Sequence, residues 1–203
     1  DVPPTLVSFA ISTGDARTVI TPEFKQIGST VILLLPKYQE NGAPDFESVK
    51  EVFTRVETMI REGKVLSAWT LGFGGVSGAI CKMAFGNKVG FKFTKDLDPT
   101  VLFNPVYGGF VLELAGGTSA NEAEIIGVTR MEPITESADC SKMATIAELQ
   151  KPYEDRLEKV FPCNIETSSE PVEAYAYQAA SRPAPAIKAA SPRVLIPVFP
   201  GTN

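Results

Sequence analysis

Three glycines, Gly72, Gly74 and Gly75, mark the part of the chain that could bind a ligand through its backbone. They lie between an apolar stretch that reads as a buried strand and a stretch, from about Val76, with helical spacing. Glycine adopts backbone angles that other residues resist, so such a turn lets a ligand or another chain come close. The free N–H groups at the start of the helix, up to Ser77, could hold an anion such as phosphate. The same pattern also forms a tight turn with nothing bound, and taken alone it favours that simpler interpretation.

Charged side chains elsewhere are weaker candidates. Asp15 and Arg17 could contact a phosphate or a neighbouring domain, and Lys82 and Lys88 could face a phosphate site contributed by another domain. A solvated turn with a local ion pair explains Asp15 and Arg17 equally well, and such pairs contribute little energy. The sequence therefore assigns no role to these four residues.

The composition excludes several function classes. The 203 residues contain no histidine, which removes Ser-His-Asp and Cys-His nucleophilic sites and the usual zinc sites. A net charge of −5 without a basic cluster argues against nucleic acid or an anionic membrane surface as a partner. No apolar run approaches the roughly 20 residues of a membrane span. Three scattered cysteines, Cys81, Cys140 and Cys163, indicate a reduced, cytoplasmic setting rather than a disulfide framework or a metal site.

The periodicity of the chain predicts an α+β fold, in which helices pack on a mixed sheet of about six strands. Alternating or continuous apolar runs predict strands at residues 6–11, 30–35, 64–71, 89–93, 109–114 and 124–131. Helical spacing predicts three main helices, at about residues 45–63, 76–87 and 145–161, together with short helical turns at 21–25 and 98–105.

A change of composition predicts three regions. Residues 1–163 carry the apolar pattern of one domain, whereas residues 164–192 are rich in Pro, Ala and Ser and read as an extended, mobile linker. Residues 193–203 read as the first strand of a further domain. Because the chain also begins without an initiator Met, we expect it to be part of something longer.

Several stretches resemble one enzyme family. Residues 25–34, 73–86 and 149–162 are similar to the C-terminal domain of the aminoimidazole-ribonucleotide (AIR) synthetase superfamily. The run Val-Phe-Pro-Gly-Thr-Asn at 198–203 is similar to the opening strand of the glutamine amidotransferase domain in large, single-chain phosphoribosylformylglycinamidine synthases. The resemblance covers nearly the whole chain. It implies the second AIR-synthetase-type C-terminal domain, a linker and the truncated start of an amidotransferase domain.

The resemblance implies a function for the parent enzyme. Such ligases use ATP, Mg and glutamine to convert formylglycinamide ribonucleotide into formylglycinamidine ribonucleotide, ADP, phosphate and glutamate. The partners would be the preceding AIR-synthetase N-terminal-type domain and the following amidotransferase domain of the same chain. Two alternatives stay open: the C-terminal domain of another ATP-dependent superfamily enzyme, or a non-enzymatic interaction module.

The glycine turn departs from the family pattern. Where many relatives read His-Asp-x-Ser-Asp-Gly-Gly-Leu, residues 69–76 read Trp-Thr-Leu-Gly-Phe-Gly-Gly-Val. Thr70 and Phe73 replace the two acidic residues, and a hard cation needs oxygen ligands that Phe73 lacks. We therefore expect Gly72, Gly74, Gly75 and Ser77 to offer at most backbone contacts to an anion. We expect no catalytic residue, no metal site and no tightly bound cofactor in this part of the enzyme.

Overall fold

A computed structural model describes residues 6–121, 123–160 and 162, together with residues 191, 193 and 195–198. The chain divides into two compact units, Asp1–Cys163 and Asn164–Asn203. The secondary structure given below belongs to the first unit. The predicted linker at 164–192, apart from Ser191, and much of the predicted strand at 193–203 lie outside the described residues, so this division into regions stays a prediction.

Seven strands form one mixed sheet, in the order β2-β4-β1-β5-β3-β6-β7. Neighbouring strands are antiparallel except β3 and β6, which are parallel. The strands are β1 (Thr30–Leu34), β2 (Val65–Thr70), β3 (Gly90–Phe93), β4 (Phe110–Leu114), β5 (Glu124–Arg130), β6 (Ile134–Glu136) and β7 (Met143–Thr145). The mixed sheet of the α+β prediction is confirmed, with one strand more than the six expected.

The described residues form four α-helices, and side chains cap three of them. The helices are α1 (Phe46–Arg61), α2 (Gly75–Asn87), α3 (Pro99–Phe103) and α4 (Ile146–Asp155). The Asp45 carboxylate accepts a hydrogen bond from the Ser48 N–H at the start of α1, at 2.8 Å. Thr145 and Glu148 form the reciprocal capping box predicted for α4. These caps satisfy N–H groups that have no partner inside the helix.

The sheet has a buried core on each face. Successive residues of a strand point to opposite faces, and β1 shows this directly. Val31 and Leu33 pack beneath α2, whereas Ile32 and Leu34 pack in a second cluster with α1. The first cluster includes five buried side chains of α2: Val76, Ala79, Ile80, Met83 and Ala84. Burial of the larger ones, Val76, Ile80 and Met83, stabilises the fold by about 1.5–3 kcal/mol each relative to exposure. The two clusters therefore hold α1 and α2 in place.

Two predicted elements at the start of the chain are wrong. Residues 6–11 were expected to form a strand, but they pair with none of the described strands, and Phe9 and Ile11 are 87% and 97% exposed. An alternating pattern supplies one apolar face, but a strand also needs a neighbour for its N–H and C=O groups. The helical turn expected at 21–25 is also absent, and a short 3₁₀ turn, Ala16–Thr18, precedes that segment.

Candidate functional site

The glycine turn connects β2 to α2. After β2 ends, the Leu71 N–H still donates to the Gly109 carbonyl oxygen at 2.9 Å, which fixes where the turn begins. Gly74 and Gly75 then have φ angles of 86° and 56°. Both values lie in the left-handed region that side chains with a Cβ rarely adopt. The Gly-Gly pair is therefore required by the backbone path itself.

The first turn of α2 keeps few free donors. Its first four N–H groups have no partner inside the helix. The Gly75 N–H donates to the Gly72 carbonyl oxygen at 3.1 Å, and the Gly78 N–H donates to the carbonyl oxygen four residues earlier at 2.8 Å. For the N–H groups of Val76 and Ser77, the described part of the chain shows no backbone acceptor. The anion-binding capacity predicted for this turn rests on these two groups.

The end of α3 packs directly against Gly75. A Cβ atom placed on Gly75 would lie 2.6 Å from the Val101 carbonyl oxygen and 2.8 Å from those of Leu102 and Asn104. Gly75 is buried, whereas Gly74 is exposed and Gly72 and Ser77 are half-buried. Three carbonyl oxygens so close to the start of α2 repel an anion there and pair electrostatically with the positive end of the helix. The four predicted residues thus lie together in one turn, and whether they bind a ligand stays a prediction.

An aromatic side chain covers the outer side of the turn. Phe73 is 83% exposed and makes an edge-to-face contact with Tyr107, with ring centroids 6.4 Å apart. The Tyr38 hydroxyl donates to the Tyr107 carbonyl oxygen at 2.6 Å, which ties this cluster to the segment between β1 and α1. The Phe73 position therefore presents an apolar ring to solvent.

The lysines that could have faced a phosphate have other partners. The Lys82 ammonium lies between two rings, 5.4 Å from the Trp69 centroid and 5.5 Å from that of Tyr153. Lys88 donates a hydrogen bond to Gln150. Lys82 lies within α2 and Lys88 directly follows it. The Lys82 side chain points toward β2 and α4 and the Lys88 side chain toward α4, rather than toward the turn.

Asp15 and Arg17 form a local ion pair at the surface. Arg17 donates from Nε to the Asp15 carboxylate at 2.9 Å, and the Arg17 backbone N–H donates to the same carboxylate at 3.0 Å. These hydrogen bonds lower the pKa of the Asp15 carboxyl below its ordinary value. The pair caps the 3₁₀ turn, and its exposure makes its energetic contribution small.

Metal ligands are not gathered around the turn. Within the residues that the structure describes, no group of three or more His, Cys, Asp or Glu side chains is close enough to hold a metal ion. Burial raises the pKa of the Cys81 thiol, one helical turn after Ser77, so this thiol is uncharged at neutral pH. None of the described helices has both the length and the apolar character needed to cross a bilayer.

One buried carboxylate, that of Glu113, was not expected from the sequence. Glu113, in the middle of β4, has no exposed surface. Its two oxygens accept hydrogen bonds from the N–H groups of Lys25 and Gln26 at 2.8 and 2.9 Å, and from the Ser67 hydroxyl at 2.7 Å. The available signal was a single charged residue inside an otherwise apolar strand. All three of these hydrogen bonds come from the protein's own chain, so Glu113 anchors the segment before β1.

The comparisons with known proteins address the fold. No family model matches the chain. Phosphoribosylformylglycinamidine synthase II from Thermotoga maritima superposes with a TM-score of 0.57 at 13% identity, over 79% of this chain and 30% of that one. T. maritima PurL complexed with FGAR gives 0.57 at 11% identity, over 82% and 33% of the two chains. T. maritima PurL complexed with ATP gives 0.56 at 13% identity, over 78% and 30%.

The chain has the fold of a segment of PurL. At these identities the likeness concerns the fold alone. The chain spans about a third of the length of the PurL structures that it matches. The mixed sheet with helices packed on it, expected from the resemblance to the AIR-synthetase C-terminal domain, is therefore confirmed at the level of architecture.

Proposed function

We propose that this chain is the second AIR-synthetase-type C-terminal domain of a large, single-chain phosphoribosylformylglycinamidine synthase, followed by a linker and the start of the amidotransferase domain. The parent would be an ATP-dependent, cytoplasmic carbon–nitrogen ligase of purine biosynthesis with glutamine as its nitrogen donor. The present chain would be a scaffold that forms one wall of a nucleotide-type cleft, and it would be inactive by itself.

The observation that carries this proposal is the structural likeness to PurL over 79–82% of the chain. The three stretches on which the sequence resemblance depends, residues 25–34, 73–86 and 149–162, contain or overlap β1, α2 and α4. The exposed apolar side chains of Leu6, Phe9 and Ile11 also support it. Contiguous exposed apolar surface is typical of sites that contact another domain, so these residues would pack against the preceding N-terminal-type domain.

The residues of the glycine turn do not fit a magnesium nucleotide. Thr70 offers one neutral oxygen, Gly72 offers no side chain and Phe73 offers a ring, whereas Mg²⁺ is bound through carboxylates and phosphates. A helix N-terminus alone contributes ~0.3–1 kcal/mol to anion binding. Micromolar to sub-millimolar affinity requires roughly 5–8 kcal/mol. We therefore assign ATP and Mg to other parts of the parent and derive no catalytic step from this turn.

Activity assays on two proteins test the proposal. The full parent enzyme is expected to convert formylglycinamide ribonucleotide in a reaction that requires both ATP and glutamine. The isolated 203-residue chain is expected to show neither that reaction nor ammonia release from glutamine, and calorimetry is expected to detect no magnesium-dependent binding of ADP or ATP. A parent that lacks the amidine-forming activity would contradict the proposed reaction, and micromolar ADP binding by the isolated chain would contradict the scaffold role.

A further inference from the structure

A cysteine and a lysine are in direct contact at the β6–β7 turn. Cys140 is exposed in this turn, and its Sγ atom accepts a hydrogen bond from the Nζ atom of Lys92, in β3, at 2.9 Å. The two residues are 48 positions apart along the chain, so the parallel pairing of β3 with β6 brings them together. The nitrogen is therefore close enough to bond to the sulfur if oxidation makes the sulfur electrophilic.

A carboxylate completes this cluster. The Glu136 side chain is only 11% exposed, and it forms ion pairs with Arg130 and, at 3.7 Å, with Lys92. A hydrogen bond from the Cys140 thiol is the main cause that lowers the pKa of the Glu136 carboxyl below its ordinary value. Glu136 is thus in place to accept the thiol proton as the sulfur reacts, and the thiolate is the reactive form of cysteine. The chain has no histidine for this task.

Lys92 holds the proton that a peroxide needs when it is reduced. The hydrogen bond to Cys140 raises the pKa of the Lys92 ammonium above its ordinary value, so the group is protonated at neutral pH. When the sulfur attacks a peroxide oxygen, the O–O bond breaks and the departing hydroxide takes this proton to form water. The products are a sulfenic acid on Cys140 and a neutral, nucleophilic amine on Lys92 beside the same sulfur.

We propose that Cys140 and Lys92 form a reversible covalent cross-link, a sulfenamide, when the protein reacts with hydrogen peroxide. The Lys92 nitrogen attacks the sulfenic sulfur, the S–N bond forms, the S–O bond breaks and a second water leaves. Sulfenic acids condense with a nearby nitrogen in this way. Over both steps the sulfur loses two electrons, one peroxide becomes two waters, and one proton leaves through Glu136. Two molecules of a thiol reductant reverse the cross-link and leave as a disulfide.

The cross-link would join β3 to the turn that precedes β7 and α4. It would therefore add a covalent connection at the edge of the sheet where β6 and β7, of three residues each, are the shortest strands. We expect the oxidised chain to melt at a higher temperature than the reduced chain. The chemistry is confined to this cluster and does not depend on the proposed parent enzyme.

Mass spectrometry of the 203-residue chain tests the proposal. The double variant Cys81→Ser, Cys163→Ser leaves Cys140 as the single thiol and removes disulfides within the chain. After treatment with hydrogen peroxide, the intact mass is expected to fall by two hydrogens. Trypsin is expected to release the peptides that contain Lys92 and Cys140 as one linked species, which a thiol reductant separates.

Three further substitutions in this background assign the roles. Lys92→Arg keeps the positive charge but has no nucleophilic amine, and it is expected to stop at a sulfenic acid that dimedone traps. Glu136→Gln is expected to slow cross-linking at least about 10-fold, because it removes the proton acceptor. Lys142→Arg changes a lysine of the same turn and is the matched control, expected to cross-link at the rate of the background chain.

Folding of each variant is checked by its melting temperature. If Lys92→Arg fails to fold, peptide mapping of the background chain still identifies the linked nitrogen. A thiol that stays free, a sulfenic acid that forms without a cross-link, or a cross-link to a lysine other than Lys92 would each overturn the proposal. So would cross-linking that persists in Lys92→Arg.

Discussion

The Ser67 hydroxyl donates a hydrogen bond to the Glu113 carboxylate at 2.7 Å, across the neighbouring strands β2 and β4. The same carboxylate holds the backbone N–H groups of Lys25 and Gln26. A buried carboxylate is costly unless such donors surround it. This cluster therefore couples the segment that leads into β1 to β4, which is the neighbour of β1 in the sheet, and to β2 beyond it.

Replacing this carboxylate by an amide is expected to destabilise the fold. The Glu113 carboxylate now accepts a hydrogen bond from each of two backbone N–H groups, those of Lys25 and Gln26. In Glu113→Gln the side-chain NH₂ must face one of these N–H groups, so a donor meets a donor. We expect the free energy of unfolding, measured by urea titration, to fall by about 2 kcal/mol. Glu124→Gln, in the exposed first position of β5, is the control and should change stability by less than about 0.5 kcal/mol. Equal losses in the two variants would show that the cluster contributes nothing special.

The two glycines of the turn are expected to respond very differently to alanine. Gly75→Ala places a Cβ within 2.6–2.8 Å of three carbonyl oxygens and in a left-handed conformation. We expect the free energy of unfolding, measured by thermal or urea denaturation, to fall by about 3 kcal/mol or more. At Gly72 a Cβ meets no atom within 4 Å, so Gly72→Ala should stay within about 0.5 kcal/mol of the parent chain. A tolerated Gly75→Ala would mean that α3 does not pack against α2 in this way.

Glu23 is expected to make the fold sensitive to acid. Hydrogen bonds from Lys25 and then Thr21 lower the pKa of the Glu23 carboxyl from 4.5 to about 2. A carboxyl whose pKa is lower in the folded state stabilises the fold above its unfolded pKa, and this contribution is lost as pH falls toward the folded value. We expect Glu23→Gln to cost about 1 kcal/mol near pH 7, because the pair is partly solvated, and clearly less near pH 2.5. A cost that is the same at both pH values, while Glu51→Gln on exposed α1 changes nothing, would contradict this assignment.

The capping box of α4 is expected to stabilise that helix measurably. Thr145 accepts a hydrogen bond from the Glu148 N–H at 3.1 Å, and the Thr145 N–H donates to the Glu148 carboxylate at 2.8 Å. Thr145→Ala should lower the free energy of unfolding by about 1 kcal/mol, and Thr145→Ser should restore most of it. Loss of stability in both variants would point to the threonine methyl group rather than to the cap.

The longer elements could be predicted from the sequence because their signals are local and strong. The continuous apolar run at β1 predicts the bounds of that strand within a residue or two. Asp45, followed by residues with amphipathic spacing, does the same for α1. β6 and β7 were missed because each has three residues, too few for alternation to be visible. The strand expected at residues 6–11 failed for the opposite reason. Its pattern is clear, but pairing depends on a neighbour that the described chain does not supply.

The candidate site was predicted only in part. The glycines predicted a turn with unusual backbone angles, and Gly74 and Gly75 have positive φ angles. That the end of α3 would fill the space beside Gly75 depends on packing between elements distant in sequence. The hydrogen bonds of Glu113 likewise join residues far apart along the chain. Spacing along one sequence carries no information on such contacts.

The strand order has a consequence for how this chain is made. β1 is synthesised before the other six strands of this sheet, yet its neighbours are β4 and β5, so that Val31 lies opposite Glu113 on one side and Gly127 on the other. Such non-local pairing slows folding. On the ribosome the apolar β1 has no sheet partner until β4 is synthesised, and five elements lie between them: α1, β2, α2, β3 and α3. We expect nascent chains that stop before β4 to require chaperones or to aggregate.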